Sequence, residues 1–195
     1  NDYGEAVQQT ADGCYIISGI YGYSADDSDV YLIRTDADGN KLWDKKFGGT
    51  HNDYGMAVQQ TADGGYIISG IYGYSASDAD VYLIRTDTDG NKLWDKKFGG
   101  TSDDGGFSVR QTSDGGFIIA GWKDVTYTYD NGFYIASGDV YLIKTDSYGS
   151  RVWDTTDRPP SLNEIGFSVQ ETSSGDYIVT GWQEYSSSDV DTYLI

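Results

Sequence analysis

The sequence predicts an all-β protein: a β-propeller of four-stranded antiparallel blades, with four repeats in the chain, either closed as four blades or forming a segment of a larger ring. Three observations predict it. The stretch Asp29 to Gly49, DVYLIRTDADGNKLWDKKFGG, returns almost unchanged at Asp80 to Gly100. It returns again at Asp139 to Trp153 as DVYLIKTDSYGSRVW, and at Asp191 to Ile195 as DTYLI. Glycine (26 residues) and tyrosine (18) are abundant, proline is limited to 2, and no segment spaces its apolar residues at the helical period, so strands and tight turns are expected and almost no helix. Asp-Gly pairs separate the apolar runs, and glycine accepts the positive φ that a hairpin turn needs.

The repeat sets the organisation. Asn1 recurs as Asn52, Thr10 as Thr61, Tyr31 as Tyr82 and Trp43 as Trp94, a spacing of 51 residues. A period of about 50 residues marks propellers and related arrays. The chain reads as one domain, 1–195, with repeats 1–51, 52–102, 103–162 and 163–195, the last short of its Trp-bearing strand. The first two differ at few places, among them Glu5/Met56 and Cys14/Gly65. The third gains eight residues between Gly121 and Asp139, and the fourth follows a rewritten connection, DTTDRPPSLNE.

Each unit resolves into four strands. In the first, Tyr3 to Thr10 is followed by an Ala-Asp-Gly turn, and Tyr15 to Ile20 by a Tyr/Ser/Asp loop. Val30 to Thr35 then leads through Asp-Ala-Asp-Gly-Asn to Lys41–Phe47 and a Gly-Gly exit. The middle runs YIISGI and VYLI are apolar on both alternating faces, as in sheets covered on both sides. A unit of about 50 residues cannot hide two apolar sheet faces by itself, so stacking of units is required. Strand alternation puts the 1–2 and 3–4 turns on one face of the stack. The 2–3 loops and inter-unit connections then share the other face, together with two segments expected to be irregular, Lys123 to Gly138 and Asp154 to Asn163.

The net charge of −18 argues against nucleic acid as a partner, because the field of the whole molecule would repel it. No apolar run approaches the length of a membrane span. Cys14 is the sole cysteine and His51 the sole histidine, so neither a disulfide within the chain nor a histidine-based triad or zinc site is expected. With no initiator Met, the chain is expected to follow a cleavage or to be part of a longer protein.

Two residue sets stand out as candidate sites. Asp36, Asp38 and Asn40, with Asp87, Asp89 and Asn91, place oxygen ligands on alternate residues of a turn. A structural hairpin turn is the first expectation, and calcium is the one cofactor the pattern admits. Tyr21, Tyr23, Tyr72 and Tyr74, joined by Tyr127, Tyr129, Tyr134 and Tyr185, gather at the 2–3 loops. Aromatic rings there offer large apolar faces at small entropic cost, the usual platform for a sugar ring or a protein anchor.

The repeat FGG–DYG–VQQTADGGYIISG–DVYLIRTDxDGNKLW resembles the propeller repeats of secreted or surface proteins of bacteria and archaea. It is also similar to kelch repeats and to the tryptophan-docking hairpin of quinoprotein dehydrogenases. The latter resemblance implies that Trp43, Trp94 and Trp153 pack between adjacent blades. The function expected is a non-catalytic extracellular or cell-surface binding or scaffolding module that meets a protein or glycan at its Tyr-rich loop face. A structural component self-associating through open blade edges is the second expectation, and a carbohydrate-active enzyme the third.

Overall fold

A computed structural model describes the backbone of residues 1–23, 27–74, 78–130, 133–157, 163–186 and 189–194. Side chains are described for the same residues except 126–137, 157–163 and 184–195. The described residues form fifteen strands in four successive antiparallel sheets. The first sheet holds β1 (Tyr3–Gln9), β2 (Tyr15–Tyr21), β3 (Asp29–Thr35) and β4 (Lys41–Phe47). The second repeats it with β5 (Tyr54–Gln60), β6 (Tyr66–Tyr72), β7 (Asp80–Thr86) and β8 (Lys92–Phe98). The third holds β9 (Asp103–Gln111), β10 (Phe117–Asp130), β11 (Phe133–Thr145) and β12 (Arg151–Asp157). The fourth holds three strands, β13 (Asn163–Glu171), β14 (Tyr177–Ser186) and β15 (Asp189–Leu194). Strand order follows chain order in every sheet, as hairpin connections require.

The turns follow their chemistry. Gly13, Gly64, Gly115 and Gly175, each three residues past a Thr, take φ between 82° and 87° and return an N–H to that Thr carbonyl. In the segment Lys123 to Gly138, expected to be irregular, the described residues 123–130 and 133–138 are instead paired strand. β10 and β11 pair from Phe117↔Thr145 out to Asp130↔Phe133, with one register shift between Lys123 and Thr126. Alternating Thr and Tyr favour a pleated ladder, so the eight added residues lengthen two strands rather than loosen a loop. At the shift Asp124 takes φ 55°, where the first two units have Gly22 and Gly73 at 75° and 73°. Aspartate is among the few side chains that tolerate this region.

Three apolar layers hold the sheets together, each between the trailing face of one sheet and the leading face of the next. Ile16, Val30 and Leu32 pack with Val58, Tyr66, Ile68, Tyr82 and Ile84. Ile67, Val81 and Leu83 pack with Val109, Phe117, Ile119, Tyr141 and Ile143, and Ile118, Ala120 and Val140 with Val169 and Val179. Both faces of the inner strands are thus apolar because both are covered. Trp43 meets the Tyr66 ring edge-on at 6.0 Å, Trp94 meets Phe117 at 6.0 Å, and Trp153 meets Tyr177 at 5.7 Å, so all three tryptophans lie between successive sheets.

Polar staples reinforce the layers. Asp53 and Asp104 are buried, and Asp53 accepts the N–H of Gly49 at 2.6 Å and of Gly73 at 2.8 Å, bridging two units. Asp104 accepts the N–H of Gly100 and of Asp124, each at 2.9 Å. Burial pushes the Asp104 carboxyl up to about 6. Deeper in the layers, Arg85 bonds Asp63 and the Tyr66 carbonyl, and Lys144 bonds Asp114 at 2.8 Å and the Thr145 carbonyl.

Candidate functional site: an aromatic basin at the loop face

The first strand of every sheet carries the same irregularity. β1 shifts register between Gly4 and Ala6, β5 between Gly55 and Ala57, and β13 between Gly166 and Ser168. In the third sheet Gly106 and Ser108 face the adjacent residues Gly121 and Ala120. Glu5, Met56, Phe107 and Phe167 are the residues left out of the ladder. A bulged residue is re-aimed away from the sheet, so the repeat points one side chain per unit out of its ladder. Glycine faces each bulge because a Cβ at Gly19, Gly70, Gly121 or Gly181 would collide with the opposite backbone.

Three of these side chains help line one basin. Glu5, Met56 and Phe107 share a cavity of about 350 Å³ with Ile20, Tyr23, Tyr54, Ile71, Tyr74, Trp122, Val125 and Ile165. All four sheets contribute. Tyr23 and Tyr74 sit where β2 and β6 leave toward β3 and β7, and their N–H groups bond the carbonyls of Asn1 and Asn52, so the basin lies at the 2–3 loop face. The rings form a row: Tyr3 to Tyr23 at 4.8 Å, Tyr23 to Tyr54 at 6.1 Å, and Tyr54 to Tyr74 at 5.1 Å. Phe107 continues it toward Trp122 at 6.4 Å and Phe167 at 5.5 Å. Burial among these rings raises the Tyr54 phenol. Among the described residues the lining holds one carboxylate, Glu5, and no histidine, cysteine or lysine.

The candidate tyrosines therefore divide. Tyr23 and Tyr74 are exposed and line the basin. Tyr21 and Tyr72 end strands rather than standing in loops; each meets Tyr31 or Tyr82 edge-on, and each lies 3.1 Å beneath a lysine, Lys46 or Lys97. Those two rings cover the outer strands and do not reach the basin. Tyr127, Tyr129 and Tyr134 fall on the lengthened β10–β11 hairpin and Tyr185 on β14, but their side chains lie outside the described residues. Tyr54, Met56, Phe107 and Ile165 escaped sequence reasoning, because a bulge one residue long breaks the alternation from which faces are read.

The Asp-x-Asp-Gly-Asn turns are knit internally. Asp36 accepts the N–H of Asp38 at 3.0 Å and of Asn40 at 2.8 Å on one oxygen, and the Asn40 amide at 2.9 Å on the other. Asp87 does the same with Asp89 and Asn91, and the Asn91 amide oxygen accepts Lys45 Nζ at 3.1 Å. The donors on Asp36 and Asp87 lower both carboxyls, the Asn40 and Asn91 amides first. Asp146 repeats the motif with Tyr148 and Ser150. Among the described residues, no three histidine, cysteine, aspartate or glutamate side chains converge as metal ligands.

Comparison with known proteins locates the fold more than the activity. No family model matches the chain. The regulatory protein FlaEY of Caulobacter vibrioides is 26% identical over 175 residues, covering 80% of this chain. The match spans only 18% of that protein. A solved structure of a protein of unknown function from Bacteroides caccae superposes over 100% of this chain and 61% of its own, with a TM-score of 0.59 at 13% sequence identity.

Proposed function

We propose that the four sheets are blades of a β-propeller and that the chain is a non-catalytic binding or scaffolding module, extracellular or at the cell surface. Its basin takes an apolar or aromatic group of a protein or glycan partner. The observation that carries this reading is the bulge position. Units one and two are nearly identical, yet one of their few differences, Glu5 against Met56, falls on the residue aimed into the basin, and unit three places Phe107 there. A repeated scaffold that varies where its side chains meet a shared cavity has the layout of a recognition surface. Sugar hydrolysis by the usual mechanism needs two carboxylates flanking the reactive bond, and among the described residues the lining offers Glu5 alone, a feature in keeping with binding. The charge of −18 turns the surface away from nucleic acid and toward neutral or basic partners. No described helix is long and apolar enough to cross a membrane.

The test is a glycan and peptide array probed with the wild-type chain, Tyr23→Ala/Tyr74→Ala and Met56→Glu. Binding by the wild type that both variants lose supports the reading. Binding that survives both variants removes the basin from it, and turnover of chromogenic glycosides replaces it with an enzyme.

A further inference from the structure

The basin is walled by aromatic rings and carries a single charge. Tyr23, Tyr54 and Tyr74 stand in a row at 6.1 Å and 5.1 Å, tilted to one another by 37° and 43°, so no ring of the row lies flat on the next. Phe107 and Trp122, 6.4 Å apart, line the same cavity of about 350 Å³ with Glu5, its one carboxylate among the described residues. Tyr23 and Tyr74 are exposed at its rim, while Trp122 is buried. Tyr54 and Tyr74 belong to the second unit and Phe107 and Trp122 to the third, and both of those sheets have a neighbour packed on either side.

We propose that the basin is an aromatic cage for a quaternary ammonium group, a trimethylated nitrogen carried by a small molecule or by a lysine side chain. The inference rests on reading the basin as a recognition site and names the chemistry it recognises. A cation is drawn to the negative face of an aromatic ring, and tryptophan and tyrosine hold it well. The fold already uses this attraction in its scaffold. Lys46 Nζ lies 3.1 Å from the centre of the Tyr21 ring, Lys97 Nζ 3.1 Å from that of Tyr72, and Lys123 Nζ 4.6 Å from that of Tyr141. The basin has five rings on its lining and, among the described residues, neither lysine nor arginine, so there the rings meet no cation from the lining itself.

Charge and hydrogen bonding narrow the class. The net charge of −18 raises the local concentration of cations, and Glu5 sets a carboxylate beside the rings, so an anion is repelled by both. A primary ammonium brings three N–H donors, and burying them against ring faces and aliphatic side chains asks for more acceptors than such a wall supplies. A hard metal ion takes six or more oxygen ligands, against one carboxylate among the described lining residues. A trimethylammonium group spreads its charge over its methyls and has no N–H to satisfy. It therefore suits a wall that is apolar and electron-rich at once.

The test is isothermal titration calorimetry of the 195-residue chain with choline and with its neutral isostere, in which a tert-butyl group replaces the trimethylammonium, at physiological and at high salt. Choline is expected to bind about tenfold more tightly than the isostere at both salt concentrations, the preference that cation–π attraction in a partly desolvated site implies. Tyr23→Leu/Tyr74→Leu keeps the apolar area but removes two ring faces, so it should weaken choline several-fold and leave the isostere unchanged. If that variant loses the wild-type circular dichroism spectrum, Glu5→Gln, at an exposed position, provides the second reading with the same expectation. A peptide carrying trimethyllysine and its unmodified counterpart identify the source. Tighter binding of the trimethylated peptide than of choline assigns the group to a protein, and the reverse order assigns it to a small molecule. Equal binding of choline and the isostere overturns the cage while leaving the apolar basin standing. Choline that fails to bind, that binds only at low salt, or that is unaffected by the substitutions overturns the cage as well, and the glycan and peptide array decides the broader reading separately.

Discussion

Gly39 and Gly90 form a controlled pair for the contact between one unit's tryptophan and the next unit's turn. Both occupy the fourth position of an Asp-x-x-Gly turn, at φ 86° and 75°, and both donate N–H to the Asp carbonyl at 3.2 Å. They differ in what lies above them. A Cβ on Gly39 meets nothing within 4 Å, whereas one on Gly90 lies 2.7 Å from the Trp43 ring. An alanine in the left-handed region costs about 1–2 kcal/mol, partly offset by about 0.4–1 kcal/mol from the lost freedom of the unfolded chain. Gly39→Ala is therefore expected to cost about 1 kcal/mol. Gly90→Ala carries the same strain and must also displace an indole packed against Tyr66, an overpacking cost of roughly 1–3 kcal/mol. In a chain of this size that excess corresponds to roughly 2–12 °C in Tm. Urea titrations followed by far-UV circular dichroism measure both variants, and the same titrations on a Trp43→Ala background close the cycle. On that background Gly90→Ala should fall to the cost of Gly39→Ala. Equal costs for the two alanines in the wild-type background, or an excess at Gly90 that persists without Trp43, would refute the docking of Trp43 on the neighbouring turn.

Two further predictions concern buried charge. Asp104 is raised to about 6 in the fold, above its value of 3.8 when unfolded, so the folded state holds the proton more tightly. The stability this contributes is complete below 3.8 and is lost as pH rises from 3.8 to 6, a change of about 3 kcal/mol. Asp104→Asn should flatten the fall in Tm across that window, and an unchanged profile counts against it. Asp12, Asp36, Asp87 and Asp114 shift the other way and lose stability only as pH falls below about 3.8, so the two effects separate along the pH axis. Lys144 occupies the place of Arg34 and Arg85, with Nζ on both Asp114 oxygens and the Thr145 carbonyl. Lys144→Arg should therefore be tolerated within about 1 kcal/mol, while Lys144→Met should cost roughly 1.5–3 kcal/mol by thermal melts, and equal losses would contradict the match between units.

Much of the fold could be read from the sequence because the repeat states each rule several times. Asp-Gly turns, both-sided apolar runs and the recurring Trp each imply a local geometry, and three of four units agree on all of them. The basin was less legible, for a reason that lies in its construction. It depends on single bulged residues, Glu5, Met56 and Phe107, which a strict two-residue alternation assigns to the wrong face. The tyrosines illustrate the same limit. Tyr21 and Tyr23 look equivalent in sequence, two residues apart and both exposed in a plain reading, yet Tyr21 ends a strand beneath Lys46 while Tyr23 follows Gly22 at φ 75° and turns toward Tyr54. A signal for the difference was present: Gly22 and Gly73 recur between the paired tyrosines, and Asp124 holds the same left-handed turn in the third unit, where it lies in the register shift of β10 against β9, just before their last pair, Val125↔Asp103. One backbone position thus decides which ring serves the scaffold and which faces the cavity. Its buried neighbour, Asp53 or Asp104, bonds that residue's N–H, so the staple between units also orients the wall of the basin.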